Sequence, residues 1–149
     1  MSVPTYEDAQ LVLKLYELRR DEKLRAARDW FVTKFFPASA DEVAAVTGAA
    51  GMENVYFRMA TSYWDMAASF VVRGVLNADL LLDSGGEMLL IWAKLETLLP
   101  EIRGKSVSQM FLSNIEQVVA MSATARERLP VFRRRIAQLR ERTLAVAKS

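Results

Sequence analysis

Apolar residues recur along this chain at three- and four-residue steps, the period of a helix face, and nowhere alternate for long enough to predict a strand. The densest run is Asn54–Val75. It carries Tyr56, Phe57, Tyr63, Trp64 and Phe70 with Met59 and Met66. Its polar residues keep to one strip, Arg58, Ser62, Asp65, Ser69 and Arg73, spaced 4, 3, 4 and 4. A helix apolar around most of its girth has to be covered by neighbours. The pattern predicts a central helix over 54–75, roughly 30 Å long, with the rest of the chain packed around it.

The flanking segments read in the same way. Thr5 and Asp8 have the spacing of an N-cap for a helix over Tyr6–Arg20, with one apolar stripe of Tyr6, Ala9, Leu13 and Tyr16 and another of Leu11, Leu15 and Leu18. The narrow polar strip between them predicts that this helix is mostly covered. A second helix carries Leu24, Ala27, Phe31 and Phe35 and stops before Pro37. Ser39 and Glu42 form a capping box for a short helix over Ala40–Val46, and Thr47–Gly51 reads as a loop. Asn77 caps a turn through Leu82, and Ser84 with Glu87 predicts a box launching Met88–Leu99, ended or kinked at Pro100. Ser106 and Gln109 predict a further box, opening a helix with Val107, Phe111, Ile115 and Val118 on one face. In the last segment Leu129, Phe132, Ile136, Leu139, Thr143 and Val146 are spaced 3, 4, 3, 4 and 3, a heptad-like seam. Pro130 fits either an early position of a last helix or a kink in a longer one. The expected fold is all-α, a single-domain irregular bundle of about six to seven helices around the helix at 54–75. The domain spans 1–149, with a basic heptad-like C-terminal helix at about 126–148.

Composition narrows the chemistry. A chain of 149 residues, 52% hydrophobic and 26% charged, is long enough to bury a core without staples. It has no cysteine, so neither disulfides nor thiolate chemistry, and no histidine, the commonest general base and metal ligand. No catalytic signature or cofactor motif appears. Arg58, Asp65 and Arg73 interrupt the most apolar run, and the start MSVPTYEDAQ lacks the pattern of a signal peptide, so a soluble cytoplasmic protein with no transmembrane segment is expected.

The run Arg58–Met66 (RMATSYWDM), with Ser69-Phe70-Val71, Gly74–Asn77 and Ser84–Glu87, resembles a family of uncharacterised bacterial all-helical proteins with an RMxTSYW-type central helix. Leu15–Arg20 and Ala27–Phe31 are similar too. The resemblance covers Tyr6 to Glu116 and implies a helical cytosolic fold without implying an activity. The basic C-terminal segment lies outside it.

Three features are candidates for function. The strip Arg58, Ser62, Asp65, Ser69 and Arg73 reads as a small-anion or small-molecule site if it lines a cavity; otherwise it is the solvated edge of the helix, or Asp65 is bonded to a neighbouring helix. Asp79, Asp83 and Glu87 are oxygen ligands in kind, but their spacing matches no calcium loop, and charges at helix ends account for Asp83 and Glu87. Gly85-Gly86 lacks the strand and lysine of a phosphate loop. From Arg126 onward there are eight basic residues against Glu127 and Glu141, a net +6, so residues 1–125 carry −4 of the total +2. A basic helix beside an acidic body suits a second copy of the chain, a protein partner or an anionic surface; no nucleic-acid motif favours nucleic acid. The candidate interface is Leu129, Phe132, Ile136, Leu139 and Val146. The expected function is a non-enzymatic protein-interaction or self-associating module, with no cofactor and no metal. The alternatives are a small-anion or small-molecule binding protein or enzyme using the central strip, and binding of nucleic acid or an anionic surface by the C-terminal helix.

Overall fold

A computed structural model describes residues 3–106 and 108–149. The chain is all-α, and its described residues form nine helices rather than six or seven. In order these are α1 (Tyr6–Arg19), α2 (Glu22–Thr33), α3 (Ala40–Gly48), α4 (Met52–Val72), α5 (Ala78–Ser84), α6 (Glu87–Leu95), α7 (Leu99–Lys105), α8 (Ser113–Met121) and α9 (Ala123–Lys148). The larger number comes from short helices. The apolar run after Gly86 divides into α6 and α7, because the helix turns at 96–98 and Pro100 sits in the first turn of α7, where its missing N–H costs nothing.

Helix α4 is the hub. It packs against α2, α3, α6 and α8, and buries Phe57, Ala60, Tyr63, Trp64, Ala67, Ala68 and Val71. Small residues at 60, 67 and 68 let neighbouring backbones approach, while Trp64 and Phe57 fill the wider gaps. One end of the core is aromatic: Trp30 stacks on Phe35 with centroids 4.8 Å apart, and Phe57 stacks on Phe111 at 5.8 Å. Helix α9 lies along α6 and also touches α8 and α5. Pro130 lies inside this single 26-residue helix, which joins the segments on either side of the proline.

Helix starts follow the caps in the sequence, with two exceptions. Thr5 and Asp8 form a reciprocal box, Ser39 accepts from the amide of Glu42, and Asn77 accepts from that of Leu80. The expected box at Ser84 is absent: its hydroxyl donates to the carbonyl of Leu81, and Gly86 caps α6 without a side chain. The expected box at Ser106 closes only a local turn, its Oγ accepting from the amide of Ser108, and the next helix waits until Ser113. Val107, expected on its buried face, lies outside the described residues. Helix α4 ends where Gly74 takes a φ of 76°, a left-handed turn that glycine adopts without strain.

Helix α1 corrects a second expectation. It buries Asp8, Leu15 and Arg19 against the body but leaves Tyr6, Leu13 and Tyr16 exposed. The two stripes are therefore not equivalent. The covered face runs through Asp8, Leu11, Val12, Leu15 and Arg19, with α5 as a neighbour of the helix, while Leu18 from the second stripe is 43% exposed.

Candidate functional site

The strip on α4 does not stay together. Asp65, half-buried, accepts from the amides of Asn114 and Ile115, each at 3.1 Å, and from the side-chain amide of Asn114 at 2.9 Å. These are the free N–H groups at the start of α8. Leu112, the residue at the cap position, is in the left-handed conformation (φ 59°) and has no side-chain acceptor to offer. A carboxylate from another helix supplies the cap instead, at the positive end of the helix dipole. Arg58 donates to Asn54 on its own helix. Ser62 and Ser69 donate back to the carbonyls of Arg58 and Met66. Arg73 is exposed at the end of α4. Beside the first half of the strip runs a groove of about 610 Å³ lined by Arg58, Ser62 and Asp65 together with Thr47, Met110 and Phe111; Ser69 and Arg73 are not part of it.

An opposite cap holds the end of α2. Lys94, on α6, is buried, and its Nζ donates to the carbonyls of Phe31, Val32 and Phe35 at 2.5, 3.0 and 2.8 Å. The ring of Phe36 lies 3.9 Å from the same nitrogen. Burial, aided by the charge of Arg140, lowers the Lys94 pKa to about 7, while the carbonyls and the negative end of α2 act in favour of the ammonium. Sequence reading placed no role on Lys94. The one available signal was a lysine between Ala93 and Leu95 in an otherwise apolar segment.

The most elaborate polar cluster also escaped sequence reading as a unit. Arg28 and Glu87 form a bidentate pair, Nε to Oε2 at 2.7 Å and Nη2 to Oε1 at 3.2 Å, and the indole Nε1 of Trp64 donates to the same Oε2 at 2.7 Å. Arg19 is only 6% exposed. Its guanidinium lies 5.1 Å from the Trp64 ring centroid and 5.5 Å from that of Tyr16, and donates over long distances to the Tyr63 hydroxyl (3.5 Å) and the Ser84 carbonyl (3.4 Å). Tyr63 in turn donates to the carbonyl of Leu15 at 2.6 Å. Burial raises the pKa of this phenol, against the pull of Arg19, so it stays protonated as a donor. Among the described residues no carboxylate pairs with Arg19. The cluster opens into a cleft of about 530 Å³ lined by Arg19, Arg20, Arg25 and Arg28, with Glu87 its one carboxylate.

The C-terminal seam divides in two. Leu129 and Ile136 are buried in the chain's own core, Phe132 and Leu139 are half-buried, and Val146 is 75% exposed. Every residue from 141 to 149 is exposed. Asp83 pairs with Arg128 and Glu87 with Arg28, and among the described residues no acidic group gathers that could hold a metal ion.

These features define an all-helical domain whose helix ends are held by charged side chains from other helices, and in which no described helix is long and apolar enough to cross a membrane. The chain belongs to the family described as Domain of unknown function (DUF4760), which matches residues 4–122. Helix α9 begins just beyond the match. No curated protein and no solved structure matches the chain.

Proposed function

We propose that the chain is a non-enzymatic contact module that pairs with a second copy of itself, the end of α9 in one copy resting on the outer face of α1 in the other. The observation that carries this reading is the presence of two exposed apolar faces in different charge settings, one balanced and one basic. On α1, Tyr6 and Leu13 are exposed among balanced charges, Glu7 and Glu17 with Lys14 and Arg20, and Lys14 pairs with Glu17. On α9, Leu144 and Val146 are exposed beside Arg142 and Lys148. Like-with-like pairing of two α9 ends would bring two basic segments together, whereas α9 on α1 sets a basic segment against a balanced one and avoids that repulsion. If each copy gives one tail and receives one, the arrangement closes with two-fold symmetry. Of the seam, Leu139 and Val146 are the members a partner can reach; Leu129 and Ile136 serve the chain's own core.

Sedimentation velocity on the full chain, Leu13→Asp and Val146→Asp tests the reading. A dimer at about 50 µM is expected, above the micromolar dissociation constant of a modest interface. Both variants should be folded monomers. A monomeric parent chain overturns the proposal, as does a dimer that neither substitution weakens.

The groove beside Arg58, Ser62 and Asp65 favours a second reading, a small-molecule site whose polar wall is the first half of the α4 strip. Arg58 is the one cation among its lining residues and pairs with no carboxylate, so an anionic ligand fits it. Loss of ligand-induced thermal stabilisation in Arg58→Gln, from a screen of small carboxylates, is the expected result. Equal stabilisation of parent and variant rejects it.

A further inference from the structure

The cleft between α1, α2 and the α5–α6 turn has the construction of an anion site, and it does not depend on self-association. Arg19 is buried without an acid. Glu87, the only carboxylate lining the cleft, is paired with Arg28 through both oxygens and also accepts from Trp64, and it forms no ion pair with Arg19. A buried guanidinium normally finds a carboxylate, because an uncompensated buried charge is costly. Here its neighbours are two aromatic faces, a phenol and one carbonyl, which orient the guanidinium without neutralising it. Arg20 and Arg25, both exposed at the rim, add further positive charge. With four guanidiniums against one carboxylate, the cleft lining carries a net charge of +3.

We infer that this cleft binds a phosphate-bearing small molecule, with the phosphoryl group between the buried Arg19 and the rim residues Arg20 and Arg25. Planar guanidinium forks match phosphate oxygens two at a time, and a multiply charged anion matches the excess better than a single carboxylate does. The volume, about 530 Å³, exceeds the needs of a bare phosphate. A neighbouring hollow shares Arg25, Arg28 and Glu87 and adds Glu22 and Asp29 to its wall. Those two carboxylates keep phosphoryl groups at the basic end and accept hydroxyl or amine donors. The trough is thus basic at one end and acidic at the other, as a phosphorylated molecule with a polar, uncharged or cationic remainder requires. Sequence reading rejected a phosphate cradle at Gly85-Gly86 because the motif was incomplete. The anion site inferred here rests on arginines from α1 and α2 and needs no glycine-rich loop.

Isothermal titration of the full chain with pyrophosphate, and separately with ADP, is the test. Both should bind, and a tighter ADP complex would show that the remainder of the ligand is also held. Arg20→Gln/Arg25→Gln, which alters only exposed side chains, should weaken pyrophosphate about tenfold or more, the expected effect of losing charge-assisted hydrogen bonds. Arg134→Gln/Arg135→Gln on the exposed face of α9 should leave the affinity within about twofold, as expected for substitutions distant from the site. Absence of binding by both probes at millimolar concentration overturns the inference. So does equal weakening by the two double substitutions, which would mean diffuse attraction to a basic chain. Since the dimer surface and this cleft are altered by different substitutions, failure of one proposal is distinguishable from failure of the other.

Discussion

The carboxylate of Asp65 accepts the backbone amide of Ile115, fifty residues further along the chain, at 3.1 Å. It accepts the neighbouring amide of Asn114 at the same distance. A polar residue on the flank of the central helix thereby fixes where α8 begins and joins two elements of the core. Asp65→Ala is expected to destabilise the fold by about 2 kcal/mol, since two amides at a helix start lose their acceptor. Asp65→Asn keeps one carbonyl oxygen and should cost about half as much. Urea unfolding followed by circular dichroism measures both. If the alanine variant loses less than about 0.5 kcal/mol, water replaces the cap and the join is unimportant.

Lys94 makes stability depend on pH. Its pKa in the folded chain, about 7, lies below the ordinary lysine value of 10.5. Between these values the unfolded chain binds a proton that the folded chain does not, so this residue makes stability rise as pH goes from 7 to 10.5. Above 10.5 the gain is complete, and below 7 both states are charged and the slope vanishes. Lys94→Met should remove this part of the slope, and it should also lower stability because carbonyls at the end of α2 lose their donor. Comparing urea midpoints of parent and variant at pH 7, 8 and 9 checks it. Parallel curves would mean that the carbonyls hold the ammonium charged throughout.

Periodicity was enough to find the hub because α4 is apolar on nearly every side, and local caps such as Thr5, Ser39 and Asn77 act within three or four residues. Both signals are contained in short windows. Asp65 and Lys94 act across 49 to 63 residues, and no window holds both partners. The gathering of Arg19, Arg28, Trp64 and Glu87 is illegible for the same reason: Arg19 and Glu87 each look like an ordinary helix-end charge until α1, α2 and the α5–α6 turn are brought together. The Ser84 and Ser106 boxes failed for a different reason. Their spacing was right, but Glu87 was recruited by Arg28 and Trp64, and the chain after Ser106 turns before it can coil. The exposed stripe of α1 shows that amphipathic spacing identifies faces without saying which of them is covered.

The environment of Glu87 predicts a ranking among ion pairs. Glu87 and Arg28 have side chains 19% and 25% exposed, whereas Asp83 and Arg128 are 63% and 42% exposed. Glu87→Gln should cost about 1–3 kcal/mol, because a half-buried guanidinium loses its counter-charge. Asp83→Asn should stay within about 0.5 kcal/mol. Thermal melts at low and high salt measure the pair of variants, and salt should narrow the loss at Asp83 more than at Glu87. Equal losses would mean that the cleft is wetter than its geometry suggests.

Gly86 and Phe132 predict a non-additive pair. A Cβ built on Gly86 would lie 2.3 Å from the Phe132 ring, so the close approach of α9 to the start of α6 requires glycine there. The backbone of Gly86 is in the ordinary right-handed region, so Gly86→Ala brings no dihedral strain and its whole effect passes through the ring. Alanine should therefore destabilise the chain by about 1–3 kcal/mol, the usual range for overpacking. Phe132→Ala alone should also cost stability, by removing a partly buried ring. In the double variant the added methyl enters the space the ring has left, and the combined loss should be smaller than the sum of the two by about 1 kcal/mol or more. A double-mutant cycle by urea unfolding gives the coupling directly. Simple additivity would show that α9 yields at this point without cost, and that its hold on the body comes from Leu129 and Ile136 instead.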